Sequence, residues 1–447
     1  MVTLSNGIRV VTEKLSYLRT ASFGVWVNVG SAKETKENNG ISHMVEHMLF
    51  KGTTTKSARV IADTIAMIGD DVNAFTGKEI TCFYGTTTTN NLLTLVQLIA
   101  DMLLHSNFDP RDIAKEKLII CDEIDMYEDS ADDLVHELLQ QKVFHQQALG
   151  YIISGTKTNV RSFTRQQLLD FMKLHYTADK MIISVAGNFD EAELTHALEQ
   201  EFKDVKAILP SAIDATFKFK DRKEQCELPP YEKKYESDKL PCYVPCICTK
   251  HKENEQLHIN IAYPSISLRS DETTVFSIFN SMFGGSNNSR LFQKIREDLS
   301  LVYSIYSYGS FFERTGLFHI DITVNPSKVI TVLSETRKAI DDFLQHDLSL
   351  SELNTHKSQV KTEYIMSCES TKARMDSNAK GLMLKGSVKA LDQVVSEIEQ
   401  VTISDVMEFA AKTFRQQEPS MCVVGAEAGT KFFQIKKYFS NEFRKSF

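Results

Sequence analysis

Long apolar runs are missing from this sequence. No stretch approaches the about 18 uninterrupted apolar residues of a membrane span, which argues against a chain threaded through a bilayer by helices. A basic excess is missing too: Lys and Arg number 51 against 59 Asp and Glu, a formal net charge of −8, so the charge gives no case for nucleic acid as a partner. Glycine (19) and proline (9) are too few for a collagen-like or low-complexity chain, and 42% hydrophobic residues are too many for a disordered one. Eight cysteines lack even spacing, and a chain of 447 residues is not the small secreted domain that needs a disulfide framework. The opening MVTLSNGIRVVTEKL has no apolar signal core and no Arg-rich transit pattern. The expectation is a reducing, cytoplasmic location; a mitochondrial or related organellar protein with its leader removed would read the same way.

What is present suggests two units. The length exceeds what one hydrophobic core usually organises. Five of the nine prolines (Pro210, Pro229, Pro230, Pro241, Pro245) fall in one charge-rich stretch of weak periodicity, which reads as a linker over 209–250 between domains at 1–208 and 251–447. The two halves read alike. The first runs strand, strand, two helices near 40–51 and 57–68, two strands near NAFTG and CFYGTTTT, helices near 90–104, 110–127 and 130–143, and a late strand MIISVAGN. The second repeats the order from QLHINIAYP to SMCVVGA. The expected fold class is α+β: two similar domains, each a mainly antiparallel sheet with helices packed on one face.

The chemistry concentrates in NNGISHMVEHMLFKGT. Ile41, Met44, Val45, Met48 and Leu49 recur at helical spacing, and Gly52 follows as a stop. His43 and His47, four apart, share one helix face, where two imidazoles can grip one ion; Glu46 reaches the same side. Fewer than one such pattern is expected by chance in a chain with only 12 histidines. The bland alternative is a helix burying two histidines against a polar core. A zinc ion held this way needs a third protein ligand, and a neighbouring carboxylate can take the proton of an acidified water. Glu116 and Glu123, two helical turns apart in IAKEKLIICDEIDMYED, both qualify as that ligand, and spacing alone leaves the choice open.

HxxEH followed 76 residues later by Glu123 resembles the zinc signature of the pitrilysin family, the inverzincins. LSNGIRVV, GVWVNVGSAKE, VNAFTGKE, DEIDMYED and ISVAGNF match as well, and the likeness spans nearly the whole chain, weakest over 205–255. It is strongest to the bacterial processing-protease branch and the beta subunit of mitochondrial processing peptidase. The resemblance implies one Zn2+ per chain held by His43, His47 and Glu123, with Glu46 as general base and Glu116 behind the ligands. It also implies an edge strand at Val72-Asn73-Ala74-Phe75-Thr76 that takes the substrate as an added strand. In SRLFQKIREDLSLVYSIYS it places Arg296 and Tyr303 as a substrate-binding and catalytic pair; a guanidinium and a phenol suit a developing oxyanion. Read without the family, Arg296 pairs with Glu297 or Asp298 and Tyr303 is core. MFGGSNNSRL resembles a shortened glycine-rich loop, and Leu299-Ser300 stands where relatives commonly carry Lys-Gly.

The expected function is a zinc endopeptidase cutting peptides or unfolded segments in extended form inside a clamshell chamber. A chain of this length resembles half of the four-domain clamshell of full-length pitrilysins, which implies a homodimer in which Arg296 and Tyr303 serve the other subunit's zinc site. Two rivals are a catalytic subunit dependent on a different partner chain and a non-catalytic homologue such as a respiratory-complex core protein. Seven carboxylates between Asp122 and Asp133 read as a solvated helix end, which could also attract basic peptides as substrates. Cys242, Cys246 and Cys248 lack the usual zinc-knuckle spacing and read as structural thiols. GYIISGTKT lacks the Gly-Lys-Ser/Thr of a phosphate loop, so ATP is not expected.

Overall fold

The computed structural model describes residues 1–206, 241–345, 348–426 and 430–443. The first half runs β1 (Val2–Thr3), β2 (Arg9–Lys14), β3 (Thr20–Val27), α1 (Ile41–Leu49), α2 (Ala58–Met67), β4 (Val72–Thr76) and β5 (Thr81–Thr88). It continues with α3 (Leu92–His105), α4 (Pro110–Asp129), α5 (Ala131–Val143), α6 (Lys157–Ser162), α7 (Arg165–His175), β6 (Met181–Gly187) and α8 (Glu191–Phe202). The second half holds β7 (Ile247–His251), β8 (Leu257–Ser265), α9 (Thr273–Phe283), a short helix α10 (Arg290–Phe292) passing into a π-helical turn (Gln293–Asp298), β9 (Ser304–Phe311) and β10 (Gly316–Val324). Six helices and a strand follow: α11 (Val329–Gln345), α12 (Leu350–Ser367), α13 (Thr371–Lys385), α14 (Leu391–Gln400), α15 (Ile403–Arg415), β11 (Ser420–Gly425) and α16 (Thr430–Glu442).

The duplication is explicit in the sheets. One has the order β1-β2-β6-β3-β5-β4, the other β7-β11-β8-β10-β9. With β1 set aside, the two orders are the same, and the one parallel pair in each (β2 with β6, β7 with β11) falls in the same place. The remaining neighbours pair antiparallel. The fold class is the expected α+β. Strand β7, the counterpart of β2, begins inside the 209–250 span read as a linker; its pattern, ICTKH, alternates too weakly to stand out beside the prolines. Residues 207–240, with Cys226, Pro210, Pro229 and Pro230, lie outside the described residues.

Each sheet packs its own half's helices on one face. Phe23, Val25 and Val27 meet Met44, Val45, Leu95 and Leu198 in the first half, and Phe279, Phe283, Phe318, Phe343 and Phe414 form an aromatic core in the second. The opposite faces are covered as well, and the cover is exchanged. Val135, Leu139 and Val143 of α5 lie on Ala262, Leu317, Cys422 and Val424 of the second sheet. Met375, Ala379 and Leu382 of α13 lie on Trp26, Cys82, Ile182 and Ala186 of the first. Gly24 permits the approach: a Cβ there would meet Met375 Sδ at 3.0 Å. Each Val or Leu buried this way contributes on the order of 1.5–3 kcal/mol. The single tryptophan, fully buried under α13, therefore reports on this interface.

A carboxylate also bridges the halves. Glu79, in the β4–β5 turn, accepts from the backbone N–H of Glu313 in the β9–β10 turn at 2.7 Å. Burial and the charge of Glu313 push its carboxyl up to about 7 against the opposing hydrogen bond. A carboxyl raised in the folded state stabilises below its unfolded value near 4.5, and that stability is lost as pH rises through about 7. Glu79→Gln is thus expected to raise the melting midpoint at pH 8 and change it little at pH 5, as read by Trp26 fluorescence; an equal effect at both pH values counts against this linkage.

Candidate metal centre

Helix α1 is seated before it is functional. Its N-cap, Gly40, has a φ of 99° and no side chain to satisfy the first N–H groups. Glu34 supplies the acceptors. Its Oε2 takes the N–H of Gly40 at 2.7 Å and the Asn39 amide at 2.9 Å, and its Oε1 takes the N–H of Ser42 at 2.8 Å. A buried carboxylate at a helix N-terminus is favoured by the dipole, although burial raises its pKa. The 150–158 loop, expected only not to bind phosphate, closes the seat. A Cβ on Gly155 (φ 75°) would meet Asn39 O at 2.4 Å, and Asn39 also donates to Ile152 O at 2.7 Å.

Seated this way, α1 buries Ile41, Met44, Val45, Met48 and Leu49 and turns His43 and His47 toward α4. Glu123 lies between the two rings: its Oε1 is 3.8 Å from His43 Nε2 and its Oε2 is 3.6 Å from His47 Nε2. Both separations exceed a hydrogen bond. They are close to the roughly 3.3 Å between ligands of a tetrahedral zinc with bonds near 2.0–2.1 Å. One ligand atom from each of these three residues lies within 4.8 Å of the others. Burial and the neighbouring His47 push His43 down to about 3, so its imidazole stays neutral, as a ligand must, and its buried Nδ1 has no hydrogen-bond partner among the described residues. These donors fit a zinc ion.

Geometry separates the two glutamates that spacing could not. Glu116 is buried on the far side of His47, with Oε2 3.0 Å from Nδ1 and Oε1 2.9 Å from Lys51 Nζ. Burial opposes its ionisation, but the His47 and Lys51 hydrogen bonds outweigh this and hold its carboxyl below the ordinary value. Such a partner fixes the ring so that Nε2 faces Glu123. Glu46 accepts a hydrogen bond from the Thr76 hydroxyl, and burial raises its carboxyl against that bond. Thr76 ends β4, which among the described residues pairs only with β5 and so forms the sheet edge. In β4 Asn73 and Phe75 are exposed and Ala74 half-buried, and Phe75 packs edge-on against Trp26 at 5.7 Å.

Arg296 and Tyr303 are not brought to this cluster. Arg296 lies over Phe292 at 5.0 Å, and Tyr303, just before the edge strand β9, is 71% exposed. Among the described residues no hydrogen bond or ion pair joins either to α1 or α4. The bland reading also fails: Lys294, not Arg296, faces Asp298, and Tyr303 is not core. Ser300, the departure from Lys-Gly, has a φ of 48°, the left-handed region that favours glycine. Cys242 is exposed, while Cys248 pairs in register with Cys422 on β11. These thiols do not form a three-ligand cluster among the described residues.

Residues 9–157 match the family described as Insulinase (Peptidase family M16), and residues 162–360 match Peptidase M16 inactive domain. An uncharacterized zinc protease of Bacillus subtilis, YmxG, is 37% identical over 415 residues, 93% of this chain and 95% of its own. The chain belongs to peptidase family M16. A second uncharacterized zinc protease of the family, from Streptomyces coelicolor, is 32% identical over 95% of this chain and 88% of its own. A protease from Helicobacter pylori shares the fold with a TM-score of 0.82 at 18% identity, covering 95% of this chain and 98% of its own. A chain of Complex III2 from Candida albicans does so at 0.76 and 18% identity, covering 98% and 99%. The HxxEH sequence lies within the first matched segment. Among the described residues no helix is long and apolar enough to cross a membrane.

The residues that seat α1 were not singled out from sequence. Glu34 stands in GVWVNVGSAKE, six residues before the N-cap, a spacing that matches no local capping pattern. Glu34→Ala should cost about 1–3 kcal/mol of stability by leaving buried N–H groups unpaired. Chemical denaturation measures it, and a loss under about 0.5 kcal/mol would count against the seat.

Proposed function

We propose that this chain is a zinc endopeptidase that cleaves peptides bound in extended form. The observation that carries it is the Glu123 carboxylate lying between the Nε2 atoms of His43 and His47, with Glu46 beside them. His43, His47 and Glu123 hold one Zn2+, which supplies Lewis acidity to the scissile carbonyl and to water. Glu46 takes a proton from the attacking water and delivers it to the leaving amine nitrogen. The Thr76 hydroxyl orients the carboxylate for that transfer. Glu116, with Lys51, holds the His47 ring through Nδ1.

Substrate adds as a strand to the open edge of β4. Backbone pairing along Asn73, Ala74 and Phe75 tolerates many sequences and leads the peptide past Thr76 to Glu46. A preference for basic side chains has modest support in a cavity of about 250 Å3 one turn beyond Glu123, where Glu128 and Glu137 outnumber the single cation, Lys157, which pairs with Asp125. Two features favour a homodimer that closes a chamber: the exposure of Arg296 and Tyr303, and the lack of a bond from either to α1 or α4. In that arrangement the pair donates to the carbonyl oxygen at the partner's site. A processing peptidase of the cytoplasm is the corresponding biological role. The non-catalytic alternative has the Complex III fold likeness behind it. The four intact motif residues and the uncharacterized zinc proteases among the relatives weigh against it.

Glu46→Gln should lower peptide hydrolysis by about 10²–10⁴-fold, the usual share of a general base, while zinc content stays at wild type. A zinc-loaded Glu46→Gln chain with full activity would sink the assignment. Mixing inactive Glu46→Gln and Arg296→Ala chains should restore hydrolysis, because one site of the mixed dimer then has both groups. Restored dimers without activity would place Arg296 in service of its own chain or of none.

A further inference from the structure

A second cluster of ligand-bearing side chains lies where α5 crosses the second sheet, and the peptidase reading makes no use of it. Asp132 and His136 are one turn apart on α5 and face Asp321 of β10. One ligand atom from each falls within 4.8 Å of the others, and His136 Nε2 is 3.2 Å from Asp321 Oδ2. We infer that Asp132, His136 and Asp321 form a second divalent-cation site, of the zinc or manganese class, whose ion ties the first half of the chain to the second.

The donor chemistry carries this. One imidazole and two carboxylates suit zinc or manganese and give a site of mixed hardness. Each ligand is also held by a neighbouring polar side chain, as metal ligands usually are. Tyr308 OH lies 2.9 Å from His136 Nδ1, leaving Nε2 to face the carboxylates. Asn260 Nδ2 donates to Asp321 Oδ2 at 3.1 Å, and His258 Nδ1 is 3.2 Å from Asp132 Oδ1. Asp321 is 2% exposed, so its charge is costly unless a cation compensates it.

His319 is the second, independent observation. It is 6% exposed and stacks on Tyr308 with ring centroids 4.7 Å apart. Its Nδ1 is 2.8 Å from Asn260 Oδ1, and its buried Nε2 has no partner. His319 stands two residues from Asp321 on the same face of β10, so this buried imidazole lies beside the three-ligand group rather than within it. Asp132, whose side chain is 58% exposed, opens the cluster to solvent and gives an ion a way in.

The site is tested on the full chain with Zn2+ alone as the probe. Removing the α1 histidines (His43→Ala with His47→Ala) should leave one zinc equivalent after dialysis, and zinc should still raise the melting midpoint of that variant. Adding His136→Ala, or the exposed Asp132→Asn where folding is a concern, should remove both the equivalent and the shift. Tyr308→Phe should weaken binding roughly tenfold. No zinc bound by the α1 double variant overturns the site, as does an equivalent that survives His136→Ala and Asp132→Asn. Either result leaves the α1–α4 reading untouched, because that reading fails only through the wild-type chain's hydrolysis and its own zinc.

Discussion

The architecture depends on an exchange of two helices. Each half folds an α+β unit whose sheet has a second apolar face, and neither half supplies its own cover for it. Helix α5 leaves the first half to cover the second sheet, and α13 returns the favour for the first. The consequence for the site is direct. Ser130 both closes α4 and caps α5, its hydroxyl accepting from Asp133 N at 3.2 Å, so the two helices are joined by a single residue. Glu116 and Glu123 ride on α4. Their positions opposite His43 and His47 are therefore set in part by how firmly α5 lies on the other half.

The opposing element is held by polar burial. Helix α1 begins at a glycine with no capping side chain, in a place where a loop crowds too closely for a Cβ. A buried glutamate supplies the acceptors that the backbone lacks. Burying a carboxylate this deeply is unfavourable by itself, and three donated hydrogen bonds offset it. The arrangement fixes one end of a nine-residue helix whose other end carries Glu46 and His47. Rigid placement of a ligand helix is what a metal site requires, since ligand atoms misplaced by an ångström no longer converge.

Much of this was legible in the residues. The 3.6-residue period located α1, α2, α3, α4 and α5 to within a few residues, although the burial behind it ranges from Ile61 alone in α2 to nine residues in α3. Two histidines four apart, on the face of α1 beside its apolar stripe, are what pointed to a metal centre. Long-range pairings were less legible. Whether Glu116 or Glu123 faces both rings is a matter of a rotation about α4 that a seven-residue spacing cannot resolve, and it took the Nδ1 contact of Glu116 to separate them. The helix exchange was hidden because a strand buried on both faces, such as β10, reads as apolar whichever half covers it. Strand β7 was hidden by its polar half and its proline-rich approach. Asp132 was read as part of a solvated acidic run, since nothing local in the sequence signals that His258 and Asp321 approach it from more than 120 residues away.

The central claim is that His43, His47 and Glu123 hold the ion on which peptide hydrolysis depends. The most direct measurement is hydrolysis of a quenched peptide library by the purified chain, stripped by a chelator and then resupplied with stoichiometric zinc. The account predicts that cleavage disappears on stripping and returns with zinc in the wild-type chain, and does not return in His47→Ala. Cleavage that persists in the fully stripped chain, or returns undiminished in His47→Ala, would contradict it.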